Sequence, residues 1–381
     1  MMRLLPAFLL ASLLAACASD NVEPPAPLTT FTPQLKVLEA WSRTLSAAEE
    51  TLLLHLDVVS DGTDLYTLTH SGDVYSLYAK NGGTRWKTDT KLELTAGPGV
   101  NDGMVAVAAE GGMVIALDAK DGHILWQSPV DGAVLASPAV GAGIVVVRTT
   151  DGRVLALAAD SGRQRWKTAY DVPRLSLRGA SMPVILDRQV LVGLDDGRLV
   201  ALKVDDGSQA WQTPVGAPSG SNELSRVADL DGIIAVAGDD VYAVAYQGQV
   251  MAITRQNGQV LWAREMASYT GVSVDQTHVY VTDLHSTVWA LDKATGVAVW
   301  SQPVLRAHDL TVPVPFGDAV VVGGIEGDLH FLSKLDGSLM ARVSLGSSRI
   351  NVPPLVMGDR LIAVSTGGDI ASYGVLPIKT Q

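Results

Sequence analysis

The sequence contains a single cysteine, Cys17, among its 381 residues, so no disulfide can form within the chain. It is also poor in basic residues, with 28 lysines and arginines against 40 aspartates and glutamates and a net charge of −12. This negative charge argues against a nucleic-acid partner and against a polybasic contact with membrane lipids. Helical amphipathic periodicity is nearly absent beyond the N-terminal segment, which argues against a helical fold.

Residue types that mark active sites occur, but not in the required arrangements. None of the seven histidines has metal-site spacing with carboxylate or cysteine support, and no Gly-x-Ser-x-Gly elbow is present. The Gly-x-Gly pairs at Gly97 and Gly141 lack the strand–helix context of a dinucleotide site. Asp229-x-Asp231-Gly matches only the start of a calcium loop. The sequence therefore predicts no catalytic residues and no metal site.

The N-terminus has the pattern of a lipoprotein signal peptide. Arg3 precedes an apolar run over residues 4–14 that is too short to span a bilayer as a helix. The run ends in Leu-Ala-Ala before Cys17, which resembles a lipobox, and Ala18 and Ser19 follow instead of the aspartate that retains lipoproteins in the inner membrane. We predict a signal peptide over residues 1–16 and a lipidated Cys17 on the periplasmic face of the outer membrane. The alternative is an ordinary signal peptide with an incidental cysteine.

Residues 17–34 contain four prolines and few residues that could pack, so we interpret them as an extended tether. Such a segment would reach at most about 55 Å from the membrane.

The rest of the chain consists of one repeated unit. In the copy over residues 113–126, an apolar strand leads to Asp121-Gly122, a dipeptide typical of a type I′ hairpin turn, and the next strand ends at Trp126. Five further copies also end in a tryptophan at the same distance from the turn glycine. A seventh copy, over residues 329–341, keeps Gly337 but ends in Ala341. A period of about 40 residues with several strands per repeat is typical of a β-propeller. The tryptophans at this offset from the turn glycine are Trp86, Trp126, Trp166, Trp211, Trp262 and Trp300.

The two ends of the chain each supply part of a blade. Residues 37–45 resemble the last strand of a repeat, with Trp41 in the repeat position, and residues 352–375 supply strands without such an end. We predict that the N-terminal strand pairs with the C-terminal blade, which closes the ring and removes an open sheet edge. The prediction is an all-β, eight-bladed propeller of four-stranded antiparallel blades over residues 35–381, with the tryptophans packed between sheets rather than stacked on a ligand.

Unbroken runs of valine, alanine, leucine and isoleucine are typical of strands buried on both faces. We assign these runs as the second strands of the blades; three of them are Met104–Ala109, Ile144–Arg148 and Ile233–Ala237.

Two connections between blades are longer than the others and interrupt the period of about 40 residues. Residues 169–179 join the third and fourth blades, and residues 216–231 join the fourth and fifth. Insertions on one face of a repeat protein often carry binding.

The Asp/Asn-Gly-x-x-x-Trp repeat is similar to the Trp-docking repeat of quinoprotein alcohol dehydrogenases. Together with the lipobox, the tether and the motifs Leu-Ser-Leu-Arg-Gly and Arg-Val-Ala-Asp-Leu-Asp in the two long loops, it resembles the BamB family over the whole mature chain. These lipoproteins belong to the machinery that folds β-barrels into the bacterial outer membrane. The resemblance implies a non-enzymatic scaffold without a cofactor, which binds the POTRA domains of the barrel component BamA. Nascent outer-membrane proteins are a further implied partner.

By position, the resemblance implies that Leu175, Leu177 and Arg178 in the first loop contact BamA, together with Asp229 and Asp231 in the second. Two exposed leucines would give an apolar anchor, and arginine is enriched at interface hot spots. The acidic pair would hold Arg178 or meet a basic partner. For each leucine, ordinary loop packing is the alternative.

Two other functions compete with the scaffold. Quinone-dependent dehydrogenases are similar in their repeat and hold pyrroloquinoline quinone and calcium in the channel, often above a disulfide of adjacent cysteines. This chain has neither a cysteine pair nor an evident carboxylate cluster for the metal. A propeller that binds a small ligand or a cell-wall fragment in its channel is the third hypothesis.

Overall fold

The computed structural model describes residues 23–45, 56–176, 181–216 and 227–378. These residues form eight four-stranded antiparallel sheets, which are the blades of a propeller, as the repeat predicts. Within these ranges, no helix is long and apolar enough to cross a membrane. Cys17, Leu177 and Arg178 lie outside the described residues.

Each blade contains four strands, which we call the inner, second, third and outer strands; they follow one another along the chain in blades one to seven. Inner strands of neighbouring blades contact one another, so they lie closest to the propeller axis. The inner strands are Val59–Ser60, Leu94–Asn101, Ala139–Gly141, Val184–Ile185, Ala235–Ala237, Val272–Val274, Val314–Phe316 and Leu355–Met357. The second strands are Asp64–Leu68, Met104–Ala109, Ile144–Arg148, Gln189–Gly193, Asp240–Val244, His278–Thr282, Ala319–Gly323 and Arg360–Val364.

The third and outer strands complete the blades, and a short 3₁₀ turn at Glu110–Gly112 precedes the third strand of blade two. The third strands are Asp73–Tyr78, Met113–Asp118, Arg153–Ala158, Arg198–Lys203, Gln249–Thr254, Val288–Asp292, Asp328–Ser333 and Asp369–Pro377. The outer strands are Thr84–Asp89, Ile124–Pro129, Gln164–Ala169, Gln209–Pro214, Val260–Glu265, Ala298–Gln302 and Leu339–Ser344, with Leu35–Thr44 in blade eight.

The ring is closed by the two ends of the chain, as predicted. Leu35–Thr44 pairs antiparallel with Asp369–Pro377, and the register runs from Leu35 opposite Pro377 to Thr44 opposite Asp369. Blade eight therefore takes three strands from the C-terminus and one from the N-terminus. The pairing gives backbone partners to a strand edge that would otherwise stay open.

Each repeat tryptophan links its blade to the next one. The Trp126 indole nitrogen donates a hydrogen bond to the Ala159 carbonyl oxygen at 2.7 Å. The ring lies against Gly162 in the turn between the third and outer strands of blade three, where a Cβ atom would approach the indole to 2.6 Å. Glycine is therefore needed at position 162 for two reasons. Its φ of 68° disfavours other residues, and the indole leaves no space for a Cβ atom. Trp41 packs in the same way on Gly82 at the closure.

Ala341 stands where the other outer strands carry tryptophan because blade eight has no turn for an indole to cover. The third strand of blade eight ends at Pro377, and its outer strand begins separately at Leu35. At this junction the Gln34 amide donates to the Met340 carbonyl at 2.8 Å instead.

Residues 23–34 differ from the free tether that their prolines indicate, because they pack against the propeller. Glu23 forms a two-pronged ion pair with Arg306, at 2.6 and 3.0 Å. Phe31 packs on the apolar core of blades six and seven, and the Arg342 guanidinium lies 5.6 Å from the centre of its ring. Residues 23–34 therefore do not act as a free spacer between the membrane and the propeller.

One second-strand assignment is wrong. Within the run Ile233–Ala237, residues Ala235–Ala237 form the inner strand of blade five, and the second strand is Asp240–Val244. Gly238, with a φ of 65°, makes the turn between them. Met104–Ala109 and Ile144–Arg148 are second strands, as predicted.

Candidate functional site

The two long connections lie on the same face of the propeller. Strand direction alternates within each antiparallel blade, so every blade-to-blade connection lies on the face that also carries the turns between second and third strands. We call this the connection face. The connections 170–183 and 215–234 are neighbours there, because they flank blade four.

Contacts join the two connections at their bases. The Ser181 hydroxyl donates to the Gly232 carbonyl at 3.4 Å, which joins the two connections. The Leu230 amide donates to the Leu194 carbonyl at 3.1 Å, which joins the second connection to the turn after the second strand of blade four. Leu175, predicted as an apolar anchor, has 47% of its surface exposed. The structure therefore brings the two connections together and leaves one of the predicted contact residues open to a partner.

Asp229 and Asp231 are placed differently from an exposed acidic pair, because both side chains are buried. With Asp195 they form a group whose carboxylate oxygens lie within 4.8 Å of one another, which we call the acidic trio. Arg148 reaches into it: one terminal nitrogen lies 2.5 Å from Asp195 and the other 3.5 Å from Asp231. The resemblance implies a direct contact with a partner, whereas in the free chain these aspartates hold the base of the second connection.

Arg148 is a residue that the sequence reasoning did not select. Its side chain is only 2% exposed, and it connects blade three with blade four and with the connection into blade five. The feature of the sequence that could have identified it is the presence of a charged residue at the end of the aliphatic run Ile144–Arg148. The residues at the same register in the other blades are uncharged: Leu68, Ala108, Gly193, Val244, Thr282, Gly323 and Val364.

Burial dominates the electrostatics of this network. It raises the pKa of the Asp231 carboxyl, because the low-dielectric interior penalises the charged form. The Arg148 charge opposes this shift, and the neighbouring Asp195 adds to it. Among the described residues, the Arg148 guanidinium pairs with both Asp195 and Asp231, so its position matters for the connection that Asp231 supports.

The quinoprotein resemblance raises the question of a calcium-held quinone. The acidic trio does not fit a calcium ion, because the Arg148 guanidinium already lies among the carboxylates and would repel a divalent cation. The other group with metal-ligand geometry in the described ranges is Asp118, Asp121 and His123, in an exposed hairpin turn. The two aspartates there accept the backbone amides of their own turn. Neither group fits the metal of a channel-bound quinone.

Comparison with known proteins identifies relatives over nearly the whole chain. The family model described as "Outer membrane protein assembly factor BamB" matches residues 70–302 and 286–376. A protein of that name from Pseudomonas aeruginosa is 42% identical over 368 residues, which are 96% of this chain and 97% of the relative. Another from Xanthomonas campestris is 35% identical and covers 93% of this chain and 90% of its own length.

Solved structures give the same result for the fold. The crystal structure of BamB from Moraxella catarrhalis superposes with a TM-score of 0.81 at 27% identity, covering 89% of this chain and 100% of that one. A quinohemoprotein alcohol dehydrogenase from Pseudomonas putida superposes with a TM-score of 0.71, covering 90% of this chain and 77% of the enzyme. At 14% identity, the enzyme is similar in fold alone.

Proposed function

The chain belongs to the family of the outer membrane protein assembly factor BamB, and from this membership we propose that it is a non-enzymatic scaffold. In this role it assists the assembly and insertion of β-barrel proteins into the outer membrane. The observation that carries the proposal is the meeting of the two long connections on one face, with Leu175 exposed in the connection that joins blades three and four. Binding residues are commonly presented in this way, on loops held by a stable framework.

The partner in this proposal is BamA, bound through its periplasmic POTRA domains. Leu175 and Leu177 supply an apolar anchor, and Arg178 supplies hydrogen bonds to carboxylates or carbonyls of the partner. Asp229 and Asp231 support the interface indirectly, because their buried side chains fix the base of the second connection. The contact residues and their supports thus lie on neighbouring connections.

The proposed location is the periplasmic face of the outer membrane, with the lipid on Cys17 as the membrane contact. Because residues 23–34 pack on the propeller, they add no length to the proposed spacer, whose span is then set by the six residue steps from Cys17 to Glu23. At about 3.3 Å per residue these reach about 20 Å.

We expect Leu175→Ala, Leu177→Ala and Arg178→Ala each to reduce the amount of BamA that co-purifies with the chain, while the melting temperature stays nearly unchanged. Truncating an exposed anchor removes contact area with the partner but little packing within the chain. The measurement is affinity purification from solubilised envelopes, with quantification of BamA.

Leu335→Ala is the matched control, because Leu335 is 86% exposed in a turn on the opposite face. Its variant should retain wild-type amounts of BamA. Unfolding of the Leu177 or Arg178 variant would show that the first loop is structural, and undiminished BamA with all three variants would refute the proposed contact.

Changing Cys17 to Ser should release the chain from the membrane, because no acyl chain can then be attached. The change is best made together with Arg178→Ala, so that binding to BamA does not retain the protein at the membrane. The measurement is the membrane-bound fraction after separation of soluble and membrane material, with Arg178→Ala alone as the control. An unchanged membrane fraction in the double variant would exclude the lipid anchor.

A further inference from the structure

A pocket of about 300 Å³ opens on the connection face between blades five and six, beyond the two long connections. Its walls come from the end of the outer strand of blade five, the connection 266–271, and the turn that follows the second strand of blade six. The side chains that define it are Arg264, Met266, Asp283, Leu284 and Trp289.

Trp289 forms one wall and is not one of the repeat tryptophans. It lies in the third strand of blade six, where its indole nitrogen donates to Asp283 Oδ2 at 2.9 Å. The other oxygen of Asp283 accepts the amides of His285 and Thr287, both at 2.9 Å. The turn and the indole are therefore fixed together before any partner arrives, which lowers the entropic cost of binding to them.

Arg264 supplies the guanidinium among the residues that line the pocket, which also include the acids Glu265 and Asp283. Its guanidinium lies 5.6 Å from the centre of the Trp289 ring, in a cation–π contact. The Nε–H group is buried and has no hydrogen-bond acceptor in the described part of the chain. Leaving a buried donor unsatisfied is unfavourable, and a carboxylate that enters the pocket would form a charge-assisted pair with the guanidinium that lines it.

The pocket is continuous with the two long connections through a series of backbone hydrogen bonds. The Ile233 amide donates to the Thr270 carbonyl at 3.1 Å, and the Leu284 amide donates to the Ala267 carbonyl at 3.3 Å. Exposed large apolar side chains follow the same path. Among the described connections and second-to-third-strand turns, those that carry such side chains all belong to blades three to six; the residues are Leu175, Met182, Ile233, Tyr269 and Leu284.

We propose that the Arg264–Trp289 pocket is a second docking point for the partner that binds the long connections. It would take an acidic residue of BamA next to an apolar or aromatic side chain. The carboxylate would pair with Arg264, and the apolar group would lie on Leu284 and Met266 beside the indole. This inference rests on the proposed function, and it extends the interface from the third connection of the ring to the fifth.

The test is the affinity of the full chain for full-length BamA from the same bacterium, both purified in detergent. Arg264→Met keeps the aliphatic stem over the indole but removes the charge, and Leu284→Asp places a negative charge at the mouth of the pocket. We expect each variant to weaken binding about tenfold or more, as at interface hot spots. Arg264→Met should also reduce the salt dependence of binding, because an ion pair has been removed.

Two controls match these variants on the opposite face. Arg163→Met removes an exposed arginine from the hairpin turn of blade three, and Leu335→Asp adds an acid to an exposed turn leucine. Both should bind BamA within about twofold of wild type. If Arg264→Met destabilises the chain, Leu284→Asp alone decides the result, because that side chain is at the surface.

The outcomes separate the two proposals. If Leu175→Ala weakens binding but Arg264→Met and Leu284→Asp do not, the interface exists and the pocket is outside it, which overturns this inference. If no variant weakens binding, the proposed function itself fails for this partner. If the pocket variants weaken only the binding of unfolded β-barrel substrate, the site serves substrates and the assignment to BamA is wrong.

Discussion

Replacing Trp126 with alanine is expected to lower the free energy of unfolding by about 3–5 kcal/mol. The indole is 9% exposed, packs on Gly162 of the next blade and donates a hydrogen bond to the Ala159 carbonyl. Its removal leaves a cavity between blades two and three and a carbonyl without its partner. The measurement is the urea unfolding midpoint of the purified variant at an unchanged slope.

A pair of glycines isolates the contribution of the indole contact. Gly162 and Gly143 have similar φ angles, 68° and 73°. A Cβ atom would meet the Trp126 ring at Gly162, but it would meet nothing within 4 Å at Gly143. Both alanine variants carry the left-handed backbone cost of about 1–2 kcal/mol, and Gly162→Ala should lose about 1–3 kcal/mol more through overpacking. Equal losses would contradict the role of the indole as a wedge between blades.

The fold could be predicted because its signals are local and repeated. A turn glycine and a tryptophan at a fixed offset define one hairpin, and the recurrence of that hairpin defines the ring. The closure could be predicted because Trp41 lacks the rest of a blade on its N-terminal side. Even the exception at Ala341 follows from this closure, since an indole there would have no turn of blade eight to cover.

The rest could not be predicted because it depends on contacts between distant parts of the chain. The run Ile233–Ala237 has the composition of a buried second strand, but the long connection before it shifts the register, so its end forms an inner strand. The Arg148 network joins residues from three parts of the ring, and no local pattern pairs them. The same holds for Arg264 and Trp289, which meet only because blades five and six are neighbours.

Replacing Arg148 with methionine is expected to cost about 3–5 kcal/mol of stability, because it removes the cation that pairs with the buried carboxylates of Asp195 and Asp231. The base of the connection 215–234 should also shift, since Asp231 would no longer be held. We therefore expect a lower urea midpoint together with weaker binding to BamA. Arg153→Met is the matched control in the same blade: Arg153 pairs with Asp151 at 3.0 Å but is 31% exposed, so its loss should cost about 1 kcal/mol or less.

A multiple variant separates stability from positioning. Adding Asp195→Asn and Asp231→Leu to Arg148→Met removes the two carboxylates that pair with Arg148, and replacing buried ion pairs with neutral or apolar groups often restores stability. If the network only stabilises the propeller, BamA binding should return with the urea midpoint. If it positions the second connection, as the contacts of Asp231 indicate, the midpoint should recover while binding stays weak. Full recovery of both would limit Arg148 to a structural role and would leave the loop residues alone to account for the affinity.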